Sequence, residues 1–215
     1  MTNFQKRILT SLVILPLSIF FIIKGGYFLS FFLLLIYFAG LHEIFNVFKR
    51  IKTKLFLLLA LTLSISSIYY LANESARSLF LLYFVIAISI SSDIGGYVFG
   101  KIFKWKKLSK ISPKKTISGV FGSYFCSFIC VVVYNEWSFS TYGFFVSDLT
   151  LIPEVLLTII FSTVAQAGDL FISYFKRLDK IKDTGKILPG HGGIFDRIDG
   201  LMFVAVLASI FYSIY

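Results

Sequence analysis

Apolar runs near residues 8–23, 27–47, 55–72, 79–99, 117–134, 151–172 and 200–215 constrain this chain more than any motif does. Crossing a hydrocarbon layer about 30 Å thick takes about 20 helical residues. No water is available there to satisfy backbone N–H and C=O groups, so each run must close its hydrogen bonds within itself, as a helix. The expected fold is all-α: a polytopic membrane helix bundle with about seven transmembrane helices, one per run. Composition agrees, with 57% hydrophobic residues, 15% charged and a mean hydropathy of +0.85, where a soluble domain keeps about a quarter of its residues charged. A water-soluble globule is excluded. Lys6 and Arg7 precede the first run as in a signal peptide, yet no small-residue cleavage site follows and Pro16 interrupts the run, which predicts a retained helix. Cys126 and Cys130 lie four apart on one helix face and read as packing residues, not a disulfide framework. Without an internal repeat or a Pro- or Ser-rich linker, the chain reads as one structural domain. Residues 1–90 are expected to supply N-terminal transmembrane helices, and residues 91–215 the transmembrane region that carries the candidate functional site.

The 21 Lys and Arg residues are segregated by loop. Lys6 and Arg7 precede the first run, four lie between Lys49 and Lys54, seven between Lys101 and Lys115, and six between Lys176 and Arg197. The alternate loops hold only Lys24 and Arg77. Basic side chains are retained on the cytoplasmic side, so the pattern predicts a cytoplasmic N-terminus, both long basic loops inside and the C-terminus outside. The formal charge of +10 therefore describes one membrane face. It fits anionic lipid or a phosphorylated substrate, and nucleic acid is not an expected partner.

Polar residues gather in three places. Ser91-Ser92-Asp93-Ile94-Gly95-Gly96-Tyr97 puts a carboxylate near the basic end of the fourth run. An acid in a membrane helix costs about 2.5–3.5 kcal/mol on insertion scales, so it faces a partner, a metal or a water-filled cavity. The bland alternative for Asp93 is a helix-end residue at headgroup level, paired with a nearby lysine. The loop that follows ends in Ser112-Pro113-Lys114-Lys115-Thr116, where a proline turn, lysines, hydroxyls and a helix start converge as an anion site would require. Lys101, Lys104, Lys106 and Lys107 suit headgroups, whereas Lys115 is the better ligand candidate.

The third place opens at Gln166-Ala167-Gly168-Asp169-Leu170 and continues through Ser173, Lys176 and Arg177. At 100° per residue, Asp169, Ser173 and Lys176 fall within a wedge of about 60° on one helix face. Residues 182–199 then pack four glycines and three carboxylates into 18 positions, too polar for a plain connector. Asp196 and Asp199 share a face if a helix begins there. Hard divalent cations such as Mg2+ take one or two carboxylates together with phosphate oxygens and water, which Asp169 and Asp196 from different helices could provide. Zinc is disfavoured, because His42 and His191 are far apart and no cysteine accompanies them. His191, between two glycines, suits a phosphate donor or an acid–base group.

The run from Ser173 through Lys176-Arg177, Lys182-Asp183 and Leu188-Pro189-Gly190-His191-Gly192-Gly193 to Asp196-Arg197 and Asp199 resembles the signature of the phosphatidate cytidylyltransferase family, also called CDP-diacylglycerol synthase. Ser92-Asp93 with Tyr97, Gly100-Lys101, Ser112-Pro113-Lys115-Thr116 with Gly119, Gly168-Asp169-Leu170 and an opening Arg7-Ile8 with Pro16 match it too. Three positions depart from the pattern: Ser118 where Glu is frequent, Gly96 where Ala is common, and Gly122-Ser123 in place of a Gly-Gly pair.

The resemblance implies transfer of a cytidylyl group from CTP to phosphatidic acid, giving CDP-diacylglycerol and pyrophosphate, by a multi-helix homodimer in the cytoplasmic (inner) membrane. It implies a Mg2+ centre, which can include K+, held by Asp169 and Asp196. Lys176 and Arg197 join them as catalytic residues. Substrate binding falls to Asp93, Ser112, Lys115, Thr116, Ser173, Arg177, Lys182, Asp183, His191, Gly192, Gly193 and Asp199. The rivals are a CTP-dependent lipid kinase, which would leave CDP, and a cation-coupled transporter, which would put its polar groups near the bilayer midplane.

Overall fold

The computed structural model describes residues 3–109, 111–146, 148, 153–185, 187–190 and 192–214. Seven long helices form among them: α1 (Asn3–Lys24), α2 (Gly26–Val47), α3 (Ile51–Asn73), α4 (Ala76–Phe103), α5 (Ile117–Tyr142), α6 (Glu154–Leu178) and α7 (Phe195–Ile214). Six of them, α2 to α7, are long and apolar enough to cross a membrane, while α1 has a shorter apolar segment, Leu9–Lys24. The chain is thus a multi-pass membrane protein built as a helix bundle. Several helices outrun the apolar segments that announced them: α4 continues to Phe103, α5 to Tyr142 and α6 to Leu178, and α7 begins five residues early, at Phe195. Helical hydrogen bonding continues past the hydrocarbon edge, so hydropathy alone stops short.

Local chemistry fixes the helix ends. Ser75 and Ser78 form a reciprocal capping box at the start of α4, with Ser78 N–H donating to Ser75 Oγ at 3.1 Å and Ser75 N–H to Ser78 Oγ at 2.9 Å. Thr116 Oγ1 caps α5 by accepting the Gly119 N–H at 3.1 Å. Gly143 ends α5 in the left-handed region at φ 75°, a conformation open to glycine at little steric cost.

Two buried apolar clusters hold the bundle. Phe84, Ile88, Val131, Phe161 and Val204 centre one between α4, α5, α6 and α7. Ile44, Leu57, Leu61, Ile172, Phe195 and Met202 centre the other between α2, α3, α6 and α7. Half-exposed Leu59, Phe121 and Ile159 point outward, as lipid-facing residues do.

The α4–α5 crossing is unusually close. A Cβ at Gly119 would sit 2.7 Å from the Gly96 carbonyl oxygen, and one at Gly122 would sit 2.5 Å from that of Gly95. Small residues let membrane helices approach backbone to backbone. Ser123 completes the contact by donating to the Ser92 carbonyl at 2.7 Å. A Cβ on residue 96 would lie 2.8 Å from Ser123 Oγ. A glycine at 96 is what makes room for a serine at 123.

The α6–α7 crossing follows the same logic. A Cβ at Gly168 would meet the Phe203 ring at 2.6 Å and the Asp199 carbonyl oxygen at 2.8 Å. Gly168 thereby draws the Asp169 and Asp199 segments together.

Candidate active site

The three basic loops meet at one end of the bundle. Arg50 Nε lies 3.4 Å from Asp179 Oδ1 and Lys49 N–H donates to Asp179 Oδ2 at 3.2 Å, joining the α2–α3 and α6–α7 loops. Arg177 Nε donates to the Ile111 carbonyl at 3.3 Å, joining α6 to the α4–α5 loop. Between these loops and the helix ends opens a cleft of about 710 Å³, within the range of small-molecule sites.

Most of the residues singled out in the sequence line this cleft. Asp93 comes from α4, while Ser112, Lys115 and Thr116 come from the α4–α5 loop. α6 contributes Asp169, Ser173 and Lys176, the helix face read from its periodicity, together with Arg177. Lys182 and Asp183 follow in the next loop, and Asp196, Arg197 and Asp199 in the first turns of α7. Gly192 and Gly193 work in the turn itself. Gly192 adopts φ 86° and its carbonyl accepts the Leu188 N–H at 3.0 Å, while Gly193 N–H donates to Asp196 Oδ2 at 3.0 Å. His191 lies outside the described residues.

Ion pairs organise the cleft. Lys115 crosses from its loop to α6, placing Nζ 2.7 Å from Asp169 Oδ2 and donating to the Gln166 carbonyl at 3.2 Å. Ser173 Oγ donates to Asp169 Oδ1 at 3.3 Å. Asp93 and Asp199 line the same cleft as Asp169. Lys176, buried to 8% exposure, donates to Asp196 Oδ1 at 2.7 Å. Asp196 Oδ2 is held on its own loop by the Thr184 N–H at 2.8 Å, the Gly193 N–H at 3.0 Å and Thr184 Oγ1 at 3.1 Å. Thr116 Oγ1, expected to bind substrate, is engaged as the α5 cap.

The donor set suits a hard cation. Every candidate ligand is a carboxylate or hydroxyl oxygen, the donor type that hard divalent cations take. Among the described residues no group of three or more His, Cys, Asp or Glu side chains is arranged to hold a metal by itself. The remaining ligands would have to be phosphate oxygens and water, as Mg2+ prefers. Asp169 Oδ2 and Asp196 Oδ1 each face one ammonium, whereas Asp196 Oδ2 is bonded to the loop.

Sequence reasoning passed over two residues that shape this end. Thr184 is fully buried between two carboxylates, and Glu43 on α2 is fully buried against the same loop. An acid inside an apolar run was the signal that singled out Asp93, and Glu43 carries it equally.

The chain is similar to known proteins along most of its length. A sequence model described as the cytidylyltransferase family matches residues 48–215. A phosphatidate cytidylyltransferase of Rickettsia conorii is 34% identical over 210 residues, covering 96% of this chain and 90% of that protein. One from Rickettsia felis is 36% identical over 210 residues, covering 94% and 89%. One from Staphylococcus haemolyticus is 41% identical over 148 residues, covering 68% of this chain and 54% of that longer protein.

Proposed function

The chain belongs to the cytidylyltransferase family, and from that premise we propose how its own residues carry out the reaction. It is a phosphatidate cytidylyltransferase, moving a cytidylyl group from CTP to phosphatidic acid to give CDP-diacylglycerol and pyrophosphate in phospholipid synthesis. The observation that carries the mechanism is the cleft in which Lys115, Lys176, Arg177, Lys182 and Arg197 surround Asp169 and Asp196 at the basic end of the bundle.

A phosphate oxygen of phosphatidate attacks the α-phosphorus of CTP in line. The new O–Pα bond forms as the bond from Pα to the bridging oxygen breaks, and pyrophosphate leaves with that electron pair. The phosphomonoester is largely ionised near neutral pH, so no strong general base is required. Two anionic substrates repel, and the surrounding ammonium and guanidinium groups offset that repulsion while aligning the reacting oxygens. Arg177 is braced by the Ile111 and Ile181 carbonyls, which favours a fixed phosphate contact. Lys182 is exposed at the cleft and suits the more mobile polyphosphate. Mg2+, with which K+ can be associated, would be held by Asp169 and Asp196 and would neutralise charge developing on the phosphates. Asp199, which lines the same cleft, offers a second carboxylate that could pair with Asp169 around the ion.

The basic loops face the cytoplasm at the inner membrane by the positive-inside rule, so acyl chains stay in the bilayer while the headgroup enters the cleft. The family resemblance supports a homodimer. Purified protein supplied with CTP, phosphatidate and Mg2+ tests the assignment. Asp169→Asn is expected to lower turnover by about 10²-fold or more, equivalent to roughly 3 kcal/mol of transition-state stabilisation. Asp196→Asn behaving like Asp169→Asn supports the first ligand pair, and Asp199→Asn doing so alone supports the second. Full activity in Asp169→Asn overturns both.

A further inference from the structure

Glu43 lies on α2, ahead of the segment that the cytidylyltransferase family model matches and outside the mechanism just described. It is 0% exposed. Oε1 accepts the Ile194 N–H at 2.7 Å and Oε2 the Phe195 N–H at 3.2 Å. These are N–H groups that the first turn of α7 leaves without helical partners, and a carboxylate there also meets the positive end of the helix dipole. The hydroxyl of Thr184 is 3.1 Å from Glu43 Oε2 and 3.1 Å from Asp196 Oδ2, one proton between two carboxylates. Room for Glu43 comes from two glycines. A Cβ would lie 2.8 Å from Glu43 Oε1 at Gly185 and 2.5 Å from it at Gly193.

The connection to the cleft is short. Glu43 holds the N–H of Ile194, whose carbonyl accepts the Arg197 N–H at 2.8 Å and the Ile198 N–H at 3.2 Å. Asp196 and Arg197 are therefore the residues next along the turn that Glu43 pins. We propose that Glu43 is a positioning residue for cytidylyl transfer: it ties the loop of residues 179–194 and the start of α7 to α2, and so sets where Asp196 and Arg197 stand. This rests on the reading of the cleft as the site of transfer. The N-terminal helices thus contribute a buried anchor to the site and not only membrane spans.

Full-length Glu43→Gln tests it. The amide keeps the size of the side chain but turns an N–H2 toward the N–H groups it must accept. Monodisperse Glu43→Gln is expected to show kcat lowered about 10-fold or more with KM for CTP changed less than about 3-fold, since misplacement near the chemistry alone can cost up to about 10²-fold. Tryptic cleavage after Lys180 and Lys182, both exposed in this loop, is expected to accelerate about 10-fold as the anchored segment opens more often. Thr184→Val, which removes the shared hydroxyl and leaves the acid in place, should move both readouts in the same direction and carries the test if Glu43→Gln does not yield monodisperse protein. Unchanged kcat and cleavage rate overturn the proposal, as does a loss of activity that only follows the folded fraction. An inactive wild type would sink the catalytic reading and leave the cleavage comparison standing.

Discussion

Replacing Lys176 with Gln removes the one ammonium on Asp196 Oδ1. The contact is 2.7 Å long and the two side chains are only 11% and 10% exposed, so Lys176→Gln leaves a carboxylate charge stranded inside the bundle. Breaking a buried pair from one side costs about 3–5 kcal/mol. Asp196 Oδ2 keeps its bonds to the Thr184 N–H, the Gly193 N–H and the Thr184 hydroxyl, and a single charge-assisted bond is worth about 1.5–3 kcal/mol, which places the loss near 3 kcal/mol. At about 2–4 °C per kcal/mol for a chain of this size, the melting temperature in detergent should fall by about 6–12 °C. Asp196→Asn strands the ammonium instead and should cost a similar amount. The double variant strands neither charge, so its loss should undershoot the sum of the singles by about 2 kcal/mol or more. Melting curves of wild type, both singles and the double, followed by intrinsic tryptophan fluorescence, decide the matter. Additive losses, with coupling under about 0.5 kcal/mol, refute the pairing.

Two other predictions rest on the helix crossings. Gly96→Ala should destabilise the protein by about 1–3 kcal/mol through overpacking against Ser123, and adding Ser123→Gly should recover most of that loss in the same melting assay. Gly168→Ala would drive a methyl group against Phe203 and the Asp199 carbonyl. It should lower CDP-diacylglycerol formation by more than the folded fraction explains, because Asp169 and Asp199 flank the crossing it widens.

Periodicity revealed what lies on one element. Asp169, Ser173 and Lys176 share a face of α6 at any tertiary arrangement, and all three reach the cleft. Charge segregation likewise grouped the basic loops, which meet through Arg50, Asp179 and Arg177. Pairings between elements were not legible. Nothing in local sequence says that Lys115 takes Asp169, that Lys176 takes Asp196, or that Glu43 reaches a turn 151 positions away. Those choices depend on helix crossings, and the crossings depend on where glycines at 95, 119, 122 and 168 let backbones touch. Gly192 and Gly193, which the family resemblance places among the substrate-binding residues, also have structural roles. In the fold, one supplies a left-handed turn and the other makes room for Glu43 and Thr184.

Cytidylyl transfer and terminal-phosphate transfer leave different atoms of CTP on the lipid, and this cleft is expected to carry out the first. CTP labelled at the α-phosphorus or at the γ-phosphorus, given in parallel to the purified protein with phosphatidate and Mg2+, tests it most directly. α-Label is expected to enter the lipid fraction as CDP-diacylglycerol and γ-label to be released as pyrophosphate, with Asp169→Asn suppressing both. γ-label in the lipid, with CDP left in solution, would contradict it.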